Sequence, residues 1–150
     1  MTNLNFTISE LIYSDTAVKN NINNMPYINS LDYMLDLIVY CLQPIRDKLG
    51  LPMVITSGYR NSEVNALVGG VAASQHTKGQ AVDFTVSGYT PAQLVTLIKG
   101  YGIEFDQLIN EYDQWVHISY VKGNNRGDVR VYTLIVLETA ANFEILKFCT

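Results

Sequence analysis

The sequence predicts a domain of the α+β class, and three observations lead to this expectation. One long segment repeats apolar residues at spacings of three and four, which is typical of an amphipathic helix. Several short segments are rich in β-branched and aromatic residues, as strands are. The chain has no internal repeats, low-complexity tracts or linkers, and its 150 residues with 48% hydrophobic content suffice for one core. Residues 1–150 are therefore expected to form a single domain.

The predicted helices follow from apolar spacing and capping residues. The longest is expected over residues 31–49, where Ser30 is the N-cap, Gly50 ends the helix and Pro44 can kink it. A polar stretch before it, residues 19–30, is expected to be a loop. Three shorter helices are predicted: residues 10–13 after Ser9, the segment from Asn61 to the Gly69–Gly70 pair, and the segment from Thr90 to Gly100 or Gly102.

The predicted strands cover residues 53–57, residues 80–88 and an antiparallel hairpin formed by residues 105–110 and 115–120. Because side chains alternate along a strand, Asp83 is expected on one face of its strand. His117 is expected to point toward the place that Asp83 also faces. The apolar run over residues 129–148 lacks a clean period and is predicted to be a strand followed by a helix.

Charge and hydropathy exclude several classes of partner. The net charge of −4 and the absence of a Lys/Arg cluster argue against nucleic acid as a partner. No apolar stretch approaches the roughly 20 residues that span a bilayer, so no membrane span is expected. The first 15 residues lack the basic and apolar regions of a secretory signal, which predicts synthesis in a cytoplasm without a signal peptide. A monomer is expected.

Both histidines of the chain lie in segments that have the character of a metal site. The segment SQHTKGQAVDF contains His76 and Asp83, and QWVHISY contains His117. Two imidazoles and one carboxylate are a ligand set that catalytic zinc uses when its fourth position stays open for water. A lone His or Asp is more often a structural residue, so the flanking residues have to decide between the two interpretations.

These flanking residues resemble the M15 peptidases, the group of zinc-dependent D-Ala-D-Ala carboxypeptidases and phage endolysins. That family's motif is Ser-x-His, a Gly three residues after the His, an Asp seven residues after it, and a later Trp-x-His. The matching positions here are Ser74, His76, Gly79, Asp83, Trp115 and His117. An SGYR segment at residues 57–60 precedes them, and the resemblance extends in order over residues 6–120.

The resemblance implies a hedgehog/DD-peptidase-like fold, in which a small antiparallel sheet carries a zinc cleft and helices pack behind it. It implies that Zn²⁺ is held by His76, Asp83 and His117. Arg60 would bind a carboxylate or carbonyl of the peptide substrate, for which its planar guanidinium is suited. Two further substrate-binding candidates, Ser74 and Gln75, would hydrogen-bond the substrate or orient the neighbouring histidine.

The implied activity is hydrolysis of an amide bond in a peptidoglycan stem peptide, with zinc-bound water as the nucleophile. The bond is either a terminal D-Ala-D-Ala bond or one within the stem or cross-bridge. By the same resemblance, a phage-type lysin would be made in the host cytoplasm and would act on the cell wall after its release.

The general base is the position at which this sequence departs from the family pattern. Many relatives have Asp or Glu three residues before the second His, but here that residue is Gln114, which is a poor proton acceptor. Glu111 and Asp113 are the candidates, and Glu111 is favoured because it can face the zinc from the strand paired with that of His117. If the base is lost, the chain is a non-catalytic zinc-containing wall-binding or virion structural module. A purely structural metal site is the third alternative.

Overall fold

The protein combines helices with one six-stranded sheet, so the predicted α+β class is confirmed. A computed structural model describes residues 3–138 and 143–150. The helices are α1 (Ile8–Ile12), α2 (Asp15–Lys19), α3 (Ile28–Leu37), α4 (Gln43–Leu49), α5 (Ser62–Leu67) and α6 (Pro91–Gly100), with a 3₁₀-helix over Gln75–Lys78. The strands are β1 (Val54–Ser57), β2 (Ala81–Thr85), β3 (Gln107–Glu111), β4 (Trp115–Ser119), β5 (Asp128–Glu138) and β6 (Phe143–Cys149).

The sheet is mixed, which corrects the expectation of a small antiparallel sheet. Its strand order is β1-β2-β4-β3-β5-β6, and the neighbours are antiparallel except for the parallel pair of β3 and β5. Both edges of β4 are already hydrogen-bonded, to β2 and to β3. The following strand, β5, joins the free edge of β3 and runs parallel to it.

The two faces of the sheet have different neighbours. Apolar side chains on one face of the sheet point into a core, and helices α3, α4 and α6 form the opposite wall of that core. The sheet residues are Val82, Phe84, Leu108, Val116 and Ile118. These side chains are removed almost completely from water, and this burial is the main source of the domain's stability. The opposite face holds Asp83 and His117.

The long predicted helix is present but starts earlier and is interrupted. It begins at Ile28, so Ser30 lies inside its first turn and is not the N-cap. Between α3 and α4, residues Ile38–Leu42 form a π-helical turn that ends two residues before Pro44. Proline has no N–H and its ring displaces the carbonyl four residues earlier, so a wider turn is the expected accommodation. Gly50 ends α4 in the left-handed conformation, as predicted.

The two ends of the chain differ most from the prediction. Thr7, rather than Ser9, caps α1, and the short helix α2 was not predicted. The predicted helix after β5 is wrong, because Phe143–Cys149 pairs with β5 as an antiparallel strand. Residues 139–142 of that predicted segment lie outside the described residues. In the described part of the chain, no helix is both long and apolar enough to cross a membrane.

The other capped helices were predicted correctly. The Asn61 side chain accepts a hydrogen bond from the Val64 N–H at 2.8 Å and starts α5. Thr90 and Gln93 form a reciprocal capping box at the start of α6, with Pro91 in its first turn. The helix α5 matters for the site, because the loop that follows it leads into the 3₁₀-helix with the first histidine.

Candidate metal centre

Asp83 and His117 face each other across two central strands. Asp83 on β2 is directly opposite His117 on β4, so both side chains lie on the same face of the sheet. The Nδ1 atom of His117 is 3.0 Å from Oδ1 of Asp83. The alternation of the two strand segments predicted this arrangement.

His76 reaches the same place from the 3₁₀-helix. Ser74 caps this helix, and its Oγ accepts a hydrogen bond from the His76 N–H at 3.3 Å. Gly79 ends the helix at φ +81°, a left-handed conformation that glycine adopts without strain. A Cβ at Gly79 would lie 2.6 Å from the carbonyl oxygen of Ser30, so glycine also allows this loop to approach α3.

The three ligand atoms form a compact triangle that fits a metal ion. Its sides are 3.0 Å between His117 Nδ1 and Asp83 Oδ1, 3.2 Å between His76 Nε2 and His117 Nδ1, and 3.3 Å between His76 Nε2 and Asp83 Oδ1. Tetrahedral zinc with bonds of about 2.0–2.1 Å separates its ligand atoms by about 3.3 Å. All three residues are buried, as first-row metal ligands commonly are.

A backbone carbonyl fixes the orientation of His76. The Nδ1 atom of His76 lies 2.8 Å from the carbonyl oxygen of Gly58, which can only accept a hydrogen bond. Nδ1 therefore bears a proton, which leaves Nε2 as the ring nitrogen available to a metal ion. A side chain at residue 58 would collide with the backbone carbonyl of Leu11, so this close approach requires glycine.

Asp83 is ionised in this environment. Burial acts to raise the pKa of Asp83, but the charge and hydrogen bonds of His76 and His117 outweigh it and lower that pKa below its ordinary value. The lowered pKa favours the ionised carboxylate, which is the form that binds a cation.

Arg60 lies beside the carboxylate and close to the backbone of the first histidine. Its guanidinium donates to Ser57 Oγ at 3.0 Å and lies 4.0 Å from Oδ2 of Asp83. Its backbone N–H donates to the His76 carbonyl at 3.1 Å. Burial lowers the pKa of Arg60, while the charges of Asp83 and Glu111 oppose that change. Arg60 lines the same cavity as the three candidate ligands.

The three candidate ligands line a cavity of about 640 Å³. This size is within the range of about 300–1,000 Å³ that small-molecule sites occupy. The cavity is lined by the three ligands together with the predicted substrate-binding residues Arg60, Ser74 and Gln75 and the candidate base Glu111.

Glu111 is on the ligand face of the sheet. On β3 it is two residues beyond Ile109, which is opposite His117, so Glu111 and Ile109 share that face. Burial raises the pKa of Glu111, and the nearby charge of Asp83 adds to this, while His117, Lys147 and Arg60 act in the opposite direction. The net effect is a carboxyl group that binds a proton more readily than an exposed glutamate does.

Asp113 is placed differently from Glu111. It lies in the turn between β3 and β4 at φ +56°, and its N–H donates to the side chain of Asn110 at 2.9 Å. Neither Asp113 nor the exposed Gln114 lines the cavity. Of the two candidate bases, only Glu111 is therefore positioned to reach a bound substrate.

Asp106, which the sequence analysis did not single out, accepts a hydrogen bond from the Gln75 side chain. Asp106 is 2% exposed, and its carboxylate accepts a hydrogen bond from Gln75 Nε2 at 2.8 Å. It accepts two more from Arg126, from Nε at 2.8 Å and from Nη2 at 2.6 Å. These bonds, with that of Arg126 the largest contribution, lower the pKa of Asp106. No local motif marks this cluster, because its partners are 20 and 31 residues away in sequence.

The comparison with protein families agrees with this geometry. Residues 4–119, about three quarters of the chain, match the family model described as Peptidase M15. The matched region includes the three candidate ligands, Arg60 and Glu111, whereas β5 and β6 lie beyond it. No match is found among curated proteins.

Proposed function

This chain belongs to the M15 peptidase family, and from that premise we propose that it is a zinc-dependent peptidase that hydrolyses an amide bond in peptidoglycan stem peptides. M15 peptidases are metal-dependent, and the His76, Asp83 and His117 group can hold a metal ion. The observation that carries the proposal is the triangle of their ligand atoms, with sides of 3.0, 3.2 and 3.3 Å.

Zinc is the metal that this donor set favours. Two imidazoles and one carboxylate match its preference for nitrogen and oxygen ligands in a tetrahedral site. Three protein ligands leave a fourth position free, which is typical of catalytic rather than structural zinc. That position would face the cavity, where Glu111 and Arg60 also lie.

The mechanism assigns one task to each group in the cavity. Bound zinc would polarise the scissile carbonyl and acidify water to a pKa of about 7. Glu111 takes one proton from the attacking water as its oxygen bonds to the carbonyl carbon, and it delivers this proton to the leaving nitrogen as the C–N bond breaks. Arg60 binds a carbonyl or carboxylate of the substrate and holds the peptide in line.

The peptidoglycan substrate is inferred from the resemblance of the motifs to carboxypeptidases and endolysins of this family. We further propose that the protein acts as a monomer, because the ligands, Arg60 and Glu111 all come from one chain. Synthesis in a host cytoplasm and action on the wall after release belong to the same proposal.

The test uses purified peptidoglycan sacculi and the zinc-loaded protein, with mass spectrometry of the released fragments. The wild type and Asp113→Asn are expected to release fragments with new peptide termini. Glu111→Gln is expected to lower the rate by about 10²–10⁴-fold, because general base catalysis contributes that much. Its zinc content should be unchanged, since Glu111 is not part of the ligand triangle.

Two outcomes would contradict the proposal in different ways. Undetectable hydrolysis by the zinc-loaded wild type would favour the alternative, a non-catalytic zinc-containing wall-binding or virion structural module. The argument for that alternative is that Gln114 stands where many relatives have an acidic residue. Hydrolysis that survives in Glu111→Gln would leave the peptidase but remove Glu111 as its base.

A further inference from the structure

The cavity that holds the three candidate ligands has a second basic side, formed by residues beyond the family match. Arg60 lines the cavity close to Asp83. Arg126 and Arg130 line it as well, and both follow residue 119, where the match ends. Arg126 lies in the loop before β5, and Arg130 lies on β5 itself. The proposed mechanism uses Arg60 and leaves the other two arginines without a task.

The register of the sheet places Arg130 in line with two of the candidate ligands. Asp83 on β2 is opposite His117 on β4. Ile109 on β3 is opposite His117 on one side and opposite Arg130 of β5 on the other. Neighbouring strands lie about 4.8 Å apart, so the backbone of Arg130 is roughly 10 Å from that of His117. Because residues opposite each other share a face, Arg130 lies on the face that holds the candidate ligands.

An aspartate holds each of the two arginines in place. Nη2 of Arg126 lies 2.6 Å from Oδ2 of Asp106, and Nη2 of Arg130 lies 2.8 Å from Oδ2 of Asp128. Both arginines line the cavity, whereas neither aspartate is among the described residues that do so. A guanidinium has five N–H donors in a planar fork, and one bidentate carboxylate uses two of them. Donors of both arginines therefore remain for a ligand in the cavity.

These donors determine which chemical group this side of the cavity favours. A guanidinium binds a carboxylate through two parallel charge-assisted hydrogen bonds, which are stronger than hydrogen bonds between neutral groups. The side chain of Arg130 is 39% exposed, so a ligand can reach it without displacing the core. In a peptide substrate, the group that fits these donors is a free carboxylate.

Of the two arginines, Arg130 is the one whose substitution reports on ligand binding. Arg126 donates to the buried Asp106 from two side-chain nitrogens and from its backbone N–H, so its loss would also disturb that cluster. The partner of Arg130, Asp128, is itself partly exposed, and an ion pair of this kind contributes little to stability. The experiment therefore uses Arg130.

We propose that Arg130 binds a carboxylate of the substrate on the β5 side of the metal centre, and that the protein prefers peptides with a free carboxylate at that place. The metal centre then lies between two basic residues, Arg60 on one side and Arg130 on the other. This inference rests on the proposed peptidase function. It adds a specificity-determining residue from the part of the chain beyond the family match.

The test compares two soluble stem peptides that differ only in their internal carboxylates, which are free in one peptide and amidated in the other. The C-terminal carboxylate is free in both, so a contact of Arg60 with that group is the same for both peptides. In the zinc-loaded protein, Arg130→Gln is expected to raise KM about two- to fivefold on the free peptide, as loss of an exposed ion pair does, and to leave kcat unchanged. On the amidated peptide, the variant and the wild type should have the same KM.

Two further variants serve as controls. Arg130→Lys keeps the charge but loses the planar fork, so its KM on the free peptide should lie between those of the wild type and Arg130→Gln. Lys99→Gln removes one positive charge from the exposed end of α6, outside the cavity. It should behave as wild type on both peptides.

The outcomes separate this inference from the proposed function. An Arg130→Gln effect that is absent, or equal on both peptides, would overturn the carboxylate subsite and leave the peptidase in place. If Arg130→Gln does not fold, the wild type decides, since an equal KM for the free and the amidated peptide would also overturn the subsite. If the zinc-loaded wild type hydrolyses neither peptide, the proposed function is wrong, and the inference with it.

Discussion

The carbonyl of Gly58 decides which nitrogen of His76 faces the cleft, and it can do so only because residue 58 has no side chain. The sequence motif indicates the histidine, but the oxygen that orients it comes from 18 residues earlier in the chain. A residue that touches neither metal nor substrate thus controls the geometry of the site.

Gly58→Ala is therefore expected to weaken zinc binding and to lower the free energy of unfolding by about 1–3 kcal/mol. The reason is that its Cβ would collide with the backbone carbonyl of Leu11, which cannot rotate away as a flexible side chain can. Calorimetric zinc titration and urea unfolding measure the two effects.

The matched control is Gly100→Ala, at the end of α6. A Cβ there meets nothing within 4 Å, so the zinc affinity should not change and stability should change by less than about 1 kcal/mol. Unchanged zinc affinity in Gly58→Ala would show that the carbonyl of residue 58 does not orient His76.

Single residues were predictable from sequence where the signal was local. His76, Asp83 and His117 follow from motif spacing, and the structure brings them together, although their role as ligands stays a prediction. Strand alternation favoured Glu111 over Asp113, and Glu111 is the one that lines the cavity. Asp106 was missed because its partners are distant in sequence and become neighbours only when the sheet forms.

Several elements meet at Asp106. Its side chain bonds Gln75 of the 3₁₀-helix and Arg126 of the loop before β5, and Asp106 itself directly precedes β3. Arg126 is half exposed, so the ion pair alone contributes modestly, but the carboxylate also accepts from the Arg126 backbone N–H at 3.1 Å. The Gln75 bond thus links the helix that bears His76 to this buried carboxylate.

Asp106→Asn is expected to lower the free energy of unfolding by about 2 kcal/mol near neutral pH, because the charge-assisted hydrogen bonds lose their ionised acceptor. The folded state lowers the pKa of Asp106, so this stabilisation is fully present above the unfolded pKa of about 3.9. It is lost as the pH falls through the lower pKa of the folded state.

Urea unfolding of both proteins across the acid range measures this dependence. The difference between wild type and Asp106→Asn should be constant from neutral pH down to about pH 5 and should shrink below about pH 4. Asp32→Asn is the control and should differ from wild type by no more than about 0.5 kcal/mol throughout. A difference for Asp106→Asn that does not change with pH would show that the ionised carboxylate is not its source.

Helices were predictable where a capping residue and apolar periodicity indicated the same segment. The segments after Asn61 and Thr90 have both signals, and both became helices with the predicted caps. The segment over residues 129–148 has neither signal, and the strand Phe143–Cys149 forms by pairing with β5, which periodicity along the chain does not indicate. The π-helical turn before Pro44 is a local consequence of a missing N–H, but its form could not be read from the sequence.

At the scale of the molecule, the class of the fold was predictable and the arrangement of the sheet was not. Periodicity indicates which residues form strands, whereas strand order depends on which edges remain free after each pairing. Here the order β1-β2-β4-β3 has two edges, β1 and β3, and β5 adds to β3 in parallel. This addition brings Tyr132, beyond the family match, into the wall of the cavity.

The account depends on one divalent cation held by three side chains with one position open to the cleft. Crystals grown with zinc and measured at the zinc absorption edge test it most directly. The predicted result is one anomalous peak per chain, within about 2.0–2.2 Å of His76 Nε2, an Asp83 carboxylate oxygen and His117 Nδ1, with solvent as the fourth ligand. A peak elsewhere, no peak at these residues, or an ion enclosed by four protein ligands would contradict the account.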